Sequence, residues 1–256
     1  MSATVYHYDE KALSTLALLF APGFVHLGAQ AWVDDLCKDL KPGKKVLDFG
    51  SAAGGAACQI AKKCDAQVVG LEFSKFLVTQ SQELAAQENL TARVEFSVLP
   101  DTPPLILNQK FDLIFSIDTL SHCKNKDTLF TELRAALKTN GTLAIMDWFH
   151  KSPNYSAATE AFFKFTEGVF YLNTPQDYLQ LLEKNKLSYV NFKDNTKQMC
   201  QYAEALITSL KIDHEGQIVA AFGAEYYEWW LEYWSLLYAA LQSNDLVTGH
   251  VSGIKT

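Results

Sequence analysis

Arginine is nearly absent from this sequence, since Arg93 and Arg134 are the only two among 256 residues. Acidic residues outnumber Lys and Arg by 29 to 22, which gives a net charge of −7, and no basic run occurs. This charge pattern argues against a nucleic-acid backbone as a partner. It also leaves little provision for the bidentate grip with which arginine holds a phosphate or a carboxylate.

Paired cysteines and long apolar runs are missing as well. The five cysteines are odd in number and show no Cys-x-x-Cys spacing, so we expect free thiols rather than disulfides or a metal site. No stretch is long and apolar enough to span a membrane. The apolar run 12–24 lacks the positive segment that precedes the core of a signal peptide. We therefore expect a cytoplasmic protein.

The most informative feature that is present is a short apolar strand, 45–49, followed by a glycine turn and a helix. This arrangement is typical of the nucleotide-binding corner of a doubly wound α/β sheet. The strand carries an acid, Asp48, whose charge would repel a pyrophosphate held at the turn. S-adenosylmethionine (SAM) has no phosphate and carries an ammonium and a sulfonium. Asp48 therefore favours SAM over a dinucleotide, although an NAD-dependent oxidoreductase is a distant alternative.

Strand and helix patterns alternate through the middle of the chain. Strands are predicted at 45–49, 67–71, 93–98, 111–116 and 142–147, and helices at 55–64, 75–88 and 125–139, the last ended by Asn140-Gly141. Further on, two aromatic-rich helices are predicted within 155–185, a strand at 187–193, helices at 195–210 and 216–242, and a closing strand at 250–255. We expect an N-terminal lid helix (1–27), a SAM-binding core (28–150), and a substrate-side helical insertion with the last two strands (151–256).

Ligands of open α/β sheets lie beyond the carboxyl ends of the strands. Glu72 ends the second strand, where a carboxylate can accept both hydroxyls of a ribose. Phe73 follows it and is placed either to pack on an adenine or to join the core. Asp118 and His122 follow the fourth strand, where cofactor and substrate should meet. A histidine suits proton removal near neutral pH, although a lone histidine is more often structural.

The sequence resembles a known family at several motifs. Asp48, Gly50, Ala52 and Gly54 resemble motif I of class I SAM-dependent methyltransferases, with Ala52 in place of the usual middle glycine. The segment Phe20–Gly28, the pair Asp118-x-x-x-His122, and Tyr178-x-x-Leu-Leu followed by Asp194-Asn-Thr196 are similar to the phosphoethanolamine and glycine/sarcosine N-methyltransferases. The likeness covers nearly the whole chain. It implies a Rossmann-like α/β fold, with a seven-stranded, mainly parallel sheet, helices on both faces and an α-helical lid.

The resemblance also implies roles for particular residues. His122 and Tyr8, with Tyr6 as a competitor for the latter, would form a dyad over the transferred methyl, and Asp118 would support them. Besides the motif I residues, the cofactor contacts would be Glu72, Phe73, Leu99, Pro100, Ile117 and His26, with Asp101 as the alternative to Pro100 at the adenine. The expected reaction is methyl transfer from SAM to a small molecule, at an amine nitrogen in preference to an oxygen. The protein would be a monomer or a homodimer.

One departure from the family concerns the acceptor. The family grips a substrate phosphate with arginine, tyrosine and lysine, whereas this chain has Gly168, Phe170 and Asn195 at the corresponding positions, and only Lys164 offers a charge. We therefore expect an amine with an apolar or aromatic body. Its candidate contacts are Phe170, Tyr171, Trp230 and Trp234, although the stripe that carries the two tryptophans could equally be a buried helix face. The alternatives are an O- or C-methyltransferase and a SAM-binding regulatory partner without catalysis.

Overall fold

The computed structural model describes residues 8–99 and 109–256, so Tyr6, Pro100 and Asp101 lie outside the described residues. The first half contains α1 (Glu10–Leu19), α2 (Ala29–Asp39), β1 (Lys45–Phe49), α3 (Gly55–Cys64), β2 (Gln67–Glu72), α4 (Lys75–Gln87), β3 (Val94–Val98), β4 (Phe111–Ile117), a 3₁₀ turn (Leu120–His122) and α5 (Lys126–Ala136). The second half contains β5 (Leu137–His150), α6 (Ala157–Thr166), α7 (Pro175–Lys184), β6 (Leu187–Asp194), α8 (Thr196–Ser209), a π-helical turn (Leu210–His214), α9 (Glu215–Phe222), α10 (Ala224–Gln242) and β7 (Leu246–Lys255).

The strands form one seven-stranded sheet in the order β3-β2-β1-β4-β5-β7-β6. Among the described strands, only β7 runs opposite to the other six, so the predicted mainly parallel sheet is confirmed. The strand order reverses between β1 and β4, because β1 pairs with β2 on one side and with β4 on the other. A crevice at the carboxyl ends of β1 and β4 is where such sheets bind their ligands.

Helices cover both faces of the sheet because successive side chains of the buried strands point to opposite sides. On β4, Phe115 packs edge-on against Trp32 of α2 at 6.3 Å between ring centroids. Its neighbour Ile114 is fully buried on the other face, in the cluster that contains Phe130 of α5 and Tyr178 of α7. The two faces therefore have separate cores, as a doubly wound sheet requires.

A third cluster of buried side chains lies among helices α1, α6, α8, α9 and α10 and reaches the motif I turn at Ala52. The buried hydroxyl of Thr15 on α1 lies 3.4 Å from the hydroxyl of Tyr226 on α10. Phe20 packs edge-on against Trp234 at 6.0 Å. The chain's first helix is thereby fixed to α10, which is consistent with the expected lid. The division of the chain into lid, core and insertion stays a prediction.

The structure corrects three predicted boundaries. The helix expected over 125–139 ends at Ala136, because Leu137 is buried and pairs with Phe111 as the first residue of β5. The helix expected over 216–242 is broken at Gly223, whose φ of 92° and ψ of 160° lie outside the α-helical region. The closing strand begins at Leu246 rather than 250, since it pairs along β5 as far as His150. Within the described residues, no helix has the length and apolar character needed to cross a membrane.

Candidate active site

The motif I turn lies beneath the segment Phe20–Gly28. The backbone N–H of Gly55 donates to the carbonyl oxygen of Gly23 at 3.1 Å. A Cβ atom at Gly23, where φ is 76°, would lie 2.7 Å from that same nitrogen, and only glycine permits such an approach. At Gly54 a Cβ atom would lie 2.7 Å from the side chain of Ser81 on α4. The two glycines therefore hold the turn between the entering segment and α4.

Ala52 occupies the position of the usual middle glycine and has a φ of 46°, in the left-handed region. Its backbone N–H donates to the carboxylate of Glu72 at 2.9 Å, which helps to hold this conformation. The second carboxylate oxygen of Glu72 accepts from the N–H of Ser74, also at 2.9 Å. Each oxygen keeps a further lone pair, so Glu72 can still accept hydrogen bonds from a ribose.

A cavity lies between this turn and the segment above it. It is lined by Gly23, Phe24, Val25, His26, Ala29, Asp48, Gly50, Ser51, Ala52, Ala56 and Ile117. The cavity thus brings together five predicted cofactor residues from three separate parts of the sequence: Asp48, Gly50 and Ala52 of the turn, His26 before it and Ile117 at the end of β4.

Asp48 is the main electrostatic feature of this cavity. Its carboxylate is buried, and atom Oδ2 has no hydrogen-bond partner among the described residues. Burial, with a further contribution from the charge of Glu72, raises the pKa of Asp48 well above its usual 3.8. The hydroxyl of Ser51, which lines the cavity, and Oδ1 of Asp118, whose other oxygen contacts His26, are also buried and have no partner among the described residues. A cationic ligand with hydrogen-bond donors, such as the ammonium of SAM, fits these three acceptors.

Two other predicted cofactor residues differ in exposure. Phe73 is 40% exposed and packs edge-on against Phe49, so one ring face remains available to an adenine. Leu99 is only 2% exposed, because its side chain packs in the core beside Leu71, and its N–H donates to the backbone of Glu72. Leu99 is therefore placed to support the strand end at Glu72 from within the core.

Asp118 and His122 lie just past β4. Asp118 has a φ of 47°, and its Oδ2 atom lies 3.3 Å from Nδ1 of His26. The 3₁₀ turn then brings Nδ1 of His122 to within 3.1 Å of the carbonyl oxygen of Val169. A carbonyl can only accept, so Nδ1 carries the proton and Nε2 of the neutral ring is left as the basic nitrogen. Surrounding protein atoms desolvate the ring and lower the pKa of His122 below its usual 6.5.

A second pocket lies beside the first. It is lined by Tyr8, Leu16, Val25, Trp229, Trp230, Tyr233 and Trp234. Val25 lines both cavities, so this pocket adjoins the motif I cavity. Trp230 and Trp234 are 6% and 3% exposed, and their rings are stacked at 6.2 Å. We call these seven residues the aromatic pocket.

Comparison with protein families matches residues 40–204 to the family described as a methyltransferase domain. The chain belongs to this family. The predicted resemblance to class I SAM-dependent methyltransferases is thereby confirmed.

Individual relatives point the same way. Phosphoethanolamine N-methyltransferase 3 of Arabidopsis thaliana is 30% identical over 225 residues, which cover 86% of this chain and 44% of the relative. Phosphoethanolamine N-methyltransferase of Triticum aestivum is 30% identical over 214 residues, which cover 82% of this chain and 41% of the relative. The chain therefore spans less than half the length of these plant relatives.

Solved structures share the fold. Haemonchus contortus phosphoethanolamine N-methyltransferase 2, in complex with S-adenosyl-L-methionine, superposes with a TM-score of 0.86 at 20% identity, over 98% of this chain and 58% of that one. A candidate sarcosine dimethylglycine methyltransferase from Galdieria sulphuraria gives a TM-score of 0.73 at 17% identity, over 88% and 84%. At such identities these structures show the fold alone, and they confirm the predicted Rossmann-like class.

The predicted acceptor residues fall into two groups in the structure. The ring of Phe170 lies against that of His122, with 5.1 Å between centroids and a tilt of 37° between the ring planes, and the N–H of Tyr171 donates to the carbonyl oxygen of Ser121. Trp230 and Trp234 belong instead to the aromatic pocket. Further rings join the groups, from Phe170 to Phe163 at 4.9 Å, Phe163 to Phe162 at 6.0 Å and Phe162 to Tyr233 at 5.7 Å.

Sequence reasoning missed a buried polar group behind His122. Lys126 is 5% exposed and donates to the carbonyl oxygens of Cys123 at 2.9 Å and Tyr171 at 2.5 Å. Asp147, at the end of β5, accepts from the hydroxyl of Tyr178 at 2.9 Å. A lysine in the first turn of a helix gives no sequence signal of burial, and neither residue lies in a motif. Across residues 8–99 and 109–256, no three His, Cys, Asp or Glu side chains could hold a metal ion.

Proposed function

We propose that this protein transfers a methyl group from SAM to the nitrogen of a small-molecule amine. The observation that carries the proposal is the buried carboxylate of Asp48, whose Oδ2 atom has no hydrogen-bond partner among the described residues and which lines the cavity at the motif I turn. Such a carboxylate offers a place for the ammonium of SAM and opposes a pyrophosphate. The names of the plant relatives support nitrogen as the methylated atom.

In this proposal each group of cofactor residues contacts a different part of SAM. Asp48 and the turn at Gly50–Gly54 hold the methionine end, with His26 and Ile117 on its other side. Glu72 accepts the ribose hydroxyls, and Phe73 covers the adenine face. The bound cofactor supplies an electrophilic methyl group on a sulfonium.

The amine would be aligned and deprotonated by residues past β4. Nε2 of His122 takes the proton, and its lowered pKa keeps that nitrogen unprotonated near neutral pH. Asp118, which contacts His26 of the same cavity, attracts the amine, while Tyr8 contributes from the segment before α1. Methyl transfer is an in-line displacement, so the helices above the strands serve to orient the amine and to exclude water.

The acceptor is proposed to be an amine with an apolar or aromatic body rather than phosphoethanolamine. Arg93 comes just before β3, and Arg134 lies in the last turn of α5, just before β5. Both arginines therefore lie at the amino ends of the strands, whereas the site lies at the carboxyl ends. Lys164 is exposed on α6, and Asn195 is buried, with its amide 3.3 Å from the ring of His250. No anion clamp is therefore built from these residues, although Lys126 is buried nearby and already bonded to two carbonyls.

The test compares methylation rates of phosphoethanolamine, glycine and 2-phenylethylamine under saturating SAM. We expect the arylalkylamine to be the best of the three, with Lys164→Ala leaving its rate unchanged. Efficient methylation of phosphoethanolamine, abolished by Lys164→Ala, would contradict the proposed acceptor class. Absence of SAM binding by calorimetry would contradict the proposed reaction itself.

We also propose that the protein acts in the cytoplasm as a monomer or homodimer and does not bind nucleic acid. The five cysteines are all free, which suits a reducing compartment. The net charge of −7 opposes binding to a phosphate backbone. Sedimentation equilibrium distinguishes the two oligomeric states, and fractionation of cells tests the compartment.

A further inference from the structure

The aromatic pocket contains two buried donors that lack a partner. The indole Nε1 atoms of Trp230 and Trp234 are both buried, and neither has a hydrogen-bond partner in the described part of the chain. An indole N–H can only donate, so no acceptor role accounts for either atom. Buried donors are nearly always paired in native proteins, so two unpaired donors on side chains that line one pocket call for an acceptor from outside the described residues, which a ligand can supply.

The chemistry of the pocket narrows what that acceptor is. None of its seven lining side chains is charged. The acids of α10, Glu225, Glu228 and Glu232, are all exposed and do not line it. A cation would leave both N–H groups unpaired, and an anion would lose its hydration without meeting a positive side chain. An uncharged oxygen on an otherwise apolar group satisfies the donors without either cost.

The ring arrangement indicates the shape of the ligand. Trp230 and Trp234 lie one helical turn apart with their rings within 20° of parallel. Trp229 stands perpendicular to Trp230 at 5.1 Å, and Tyr233 stands perpendicular to Trp234 at 4.9 Å. Walls of flat rings in both orientations suit a flat aromatic guest, which can stack on one ring and meet another edge-on.

The position of the pocket connects it to the reaction. Val25 lines it on one side and the motif I cavity on the other. Asp118 belongs to the cavity side through its contact with His26. Val25 is buried and lies between the two. A methyl acceptor with its amine beside Asp118 therefore reaches the tryptophans only by displacing the side chain of Val25.

We propose, on the basis of the proposed function, that the aromatic pocket holds the body of the methyl acceptor, and that this body is an aromatic group bearing an uncharged oxygen. The oxygen accepts a hydrogen bond from Nε1 of Trp230 or Trp234. The acceptor is thus an arylalkylamine with an ether, hydroxyl or carbonyl oxygen at the end remote from its nitrogen.

The test uses two probes that differ in one atom group. In 4-methoxyphenethylamine an oxygen occupies the place that a methylene occupies in 4-ethylphenethylamine, so length and shape are conserved. Each is titrated calorimetrically into the whole protein saturated with S-adenosylhomocysteine, which permits binding without turnover. We expect the methoxy probe to bind about three- to tenfold more tightly, the worth of one hydrogen bond.

The variants Trp230→Phe and Trp234→Phe keep an aromatic ring and remove one N–H group each. In the double variant the preference for the methoxy probe should fall to within about twofold. Trp229→Phe is the matched control, because Trp229 lines the same pocket but is 41% exposed, and we expect it to retain the preference. Unchanged affinity for S-adenosylhomocysteine shows that each variant is folded.

Equal or tighter binding of the ethyl probe, or binding of neither probe to the loaded protein, would overturn this inference. A preference that survives in the double variant would overturn it too. None of these results touches the proposed function as long as SAM binds and another amine is methylated. Failure to bind SAM or S-adenosylhomocysteine would instead refute the proposed function.

Discussion

The ammonium of Lys126 donates to the carbonyl oxygen of Tyr171 at 2.5 Å and so fixes the chain beside His122 to the start of α5. Its second hydrogen bond, to the carbonyl oxygen of Cys123, reaches the end of the 3₁₀ turn that carries His122. Burial lowers the pKa of Lys126. The Lys126 side chain thus bridges the two segments that define the position of the histidine ring. One is the 3₁₀ turn, whose backbone carries His122, and the other contains Tyr171 and Val169, whose carbonyl oxygen contacts the ring.

We expect Lys126→Met to lower kcat while leaving the affinity for SAM unchanged. Methionine matches lysine in length but donates no hydrogen bond, so two carbonyls lose their partner. The free energy of unfolding should fall by about 1–3 kcal/mol. Single-turnover rates, SAM titration and urea unfolding measure the three effects. Lys124→Met, at an exposed neighbouring lysine, is the control. A wild-type kcat in Lys126→Met would show that the bridge does not position His122.

His122→Ala should lower kcat by about 10²–10⁴, the usual loss when a general base is removed. Desolvation lowers the pKa of His122, against opposing effects of the Val169 carbonyl and Asp118, and with smaller lowering effects of His26 and Lys126. The neutral ring is therefore favoured near pH 7, and kcat should rise with pH through a midpoint that lies below the usual 6.5 of an imidazole. A pH profile of kcat shows this inflection, which the alanine variant should lack.

Tyr8→Phe should reduce kcat in the same direction but less, because the ring still closes its side of the aromatic pocket. Tyr189→Phe serves as its control, since Tyr189 is 80% exposed on β6.

The outcome that would contradict the role of His122 is equal rates for wild type and His122→Ala from pH 6 to pH 9, which would exclude His122 as the base.

Glu72→Ala should weaken SAM binding by about tenfold to a hundredfold. Each hydrogen bond from a ribose hydroxyl to a carboxylate is worth about 1.5–3 kcal/mol. The variant also loses the acceptor for the N–H of Ala52, so the turn itself should be less stable. Calorimetry gives the affinity, and Glu95→Ala, an exposed acid on the adjacent β3, gives the comparison. Unchanged affinity in Glu72→Ala would remove Glu72 from the cofactor site.

Much of the fold could be predicted from the sequence because buried parallel strands read as short apolar runs ending at turns. The strand ends in turn located Asp48, Glu72 and Asp118. Boundaries that depend on distant pairing could not be predicted. Leu137 carries a helical pattern onward, yet it belongs to β5 because Phe111 lies opposite it.

The contacts within the site were harder to predict, because they join segments far apart in sequence. The pairing of His26 with Asp118 spans most of the first half of the chain, and nothing local indicates it. Val25 reads as an ordinary apolar residue, although it separates two cavities. The roles assigned to individual site residues stay predictions, and the experiments above test them.

Asp147 makes the stability of the fold depend on pH. Burial and the nearby charge of Asp118 raise the pKa of Asp147 from 3.8 to about 7, despite hydrogen bonds from the N–H of Trp148 and the hydroxyl of Tyr178. The folded protein therefore keeps a proton that the unfolded chain releases near pH 3.8. This contribution to stability is complete below pH 3.8 and is lost as pH rises towards 7.

Asp147→Asn removes this ionisation and conserves the size of the side chain. Three pKa units correspond to about 4 kcal/mol. The variant's free energy of unfolding, minus that of wild type, should therefore increase by several kcal/mol between pH 4 and pH 8. Urea unfolding at each pH measures this difference.

Asp112→Asn is the control of opposite sign. Burial raises the pKa of Asp112, but hydrogen bonds from Lys138, Lys45 and Lys44 lower it to about 2. Its stabilisation is present throughout this pH range, so Asp112→Asn should be destabilised almost equally at every pH. Parallel curves for wild type and Asp147→Asn would mean that Asp147 is already ionised in the folded protein at pH 4.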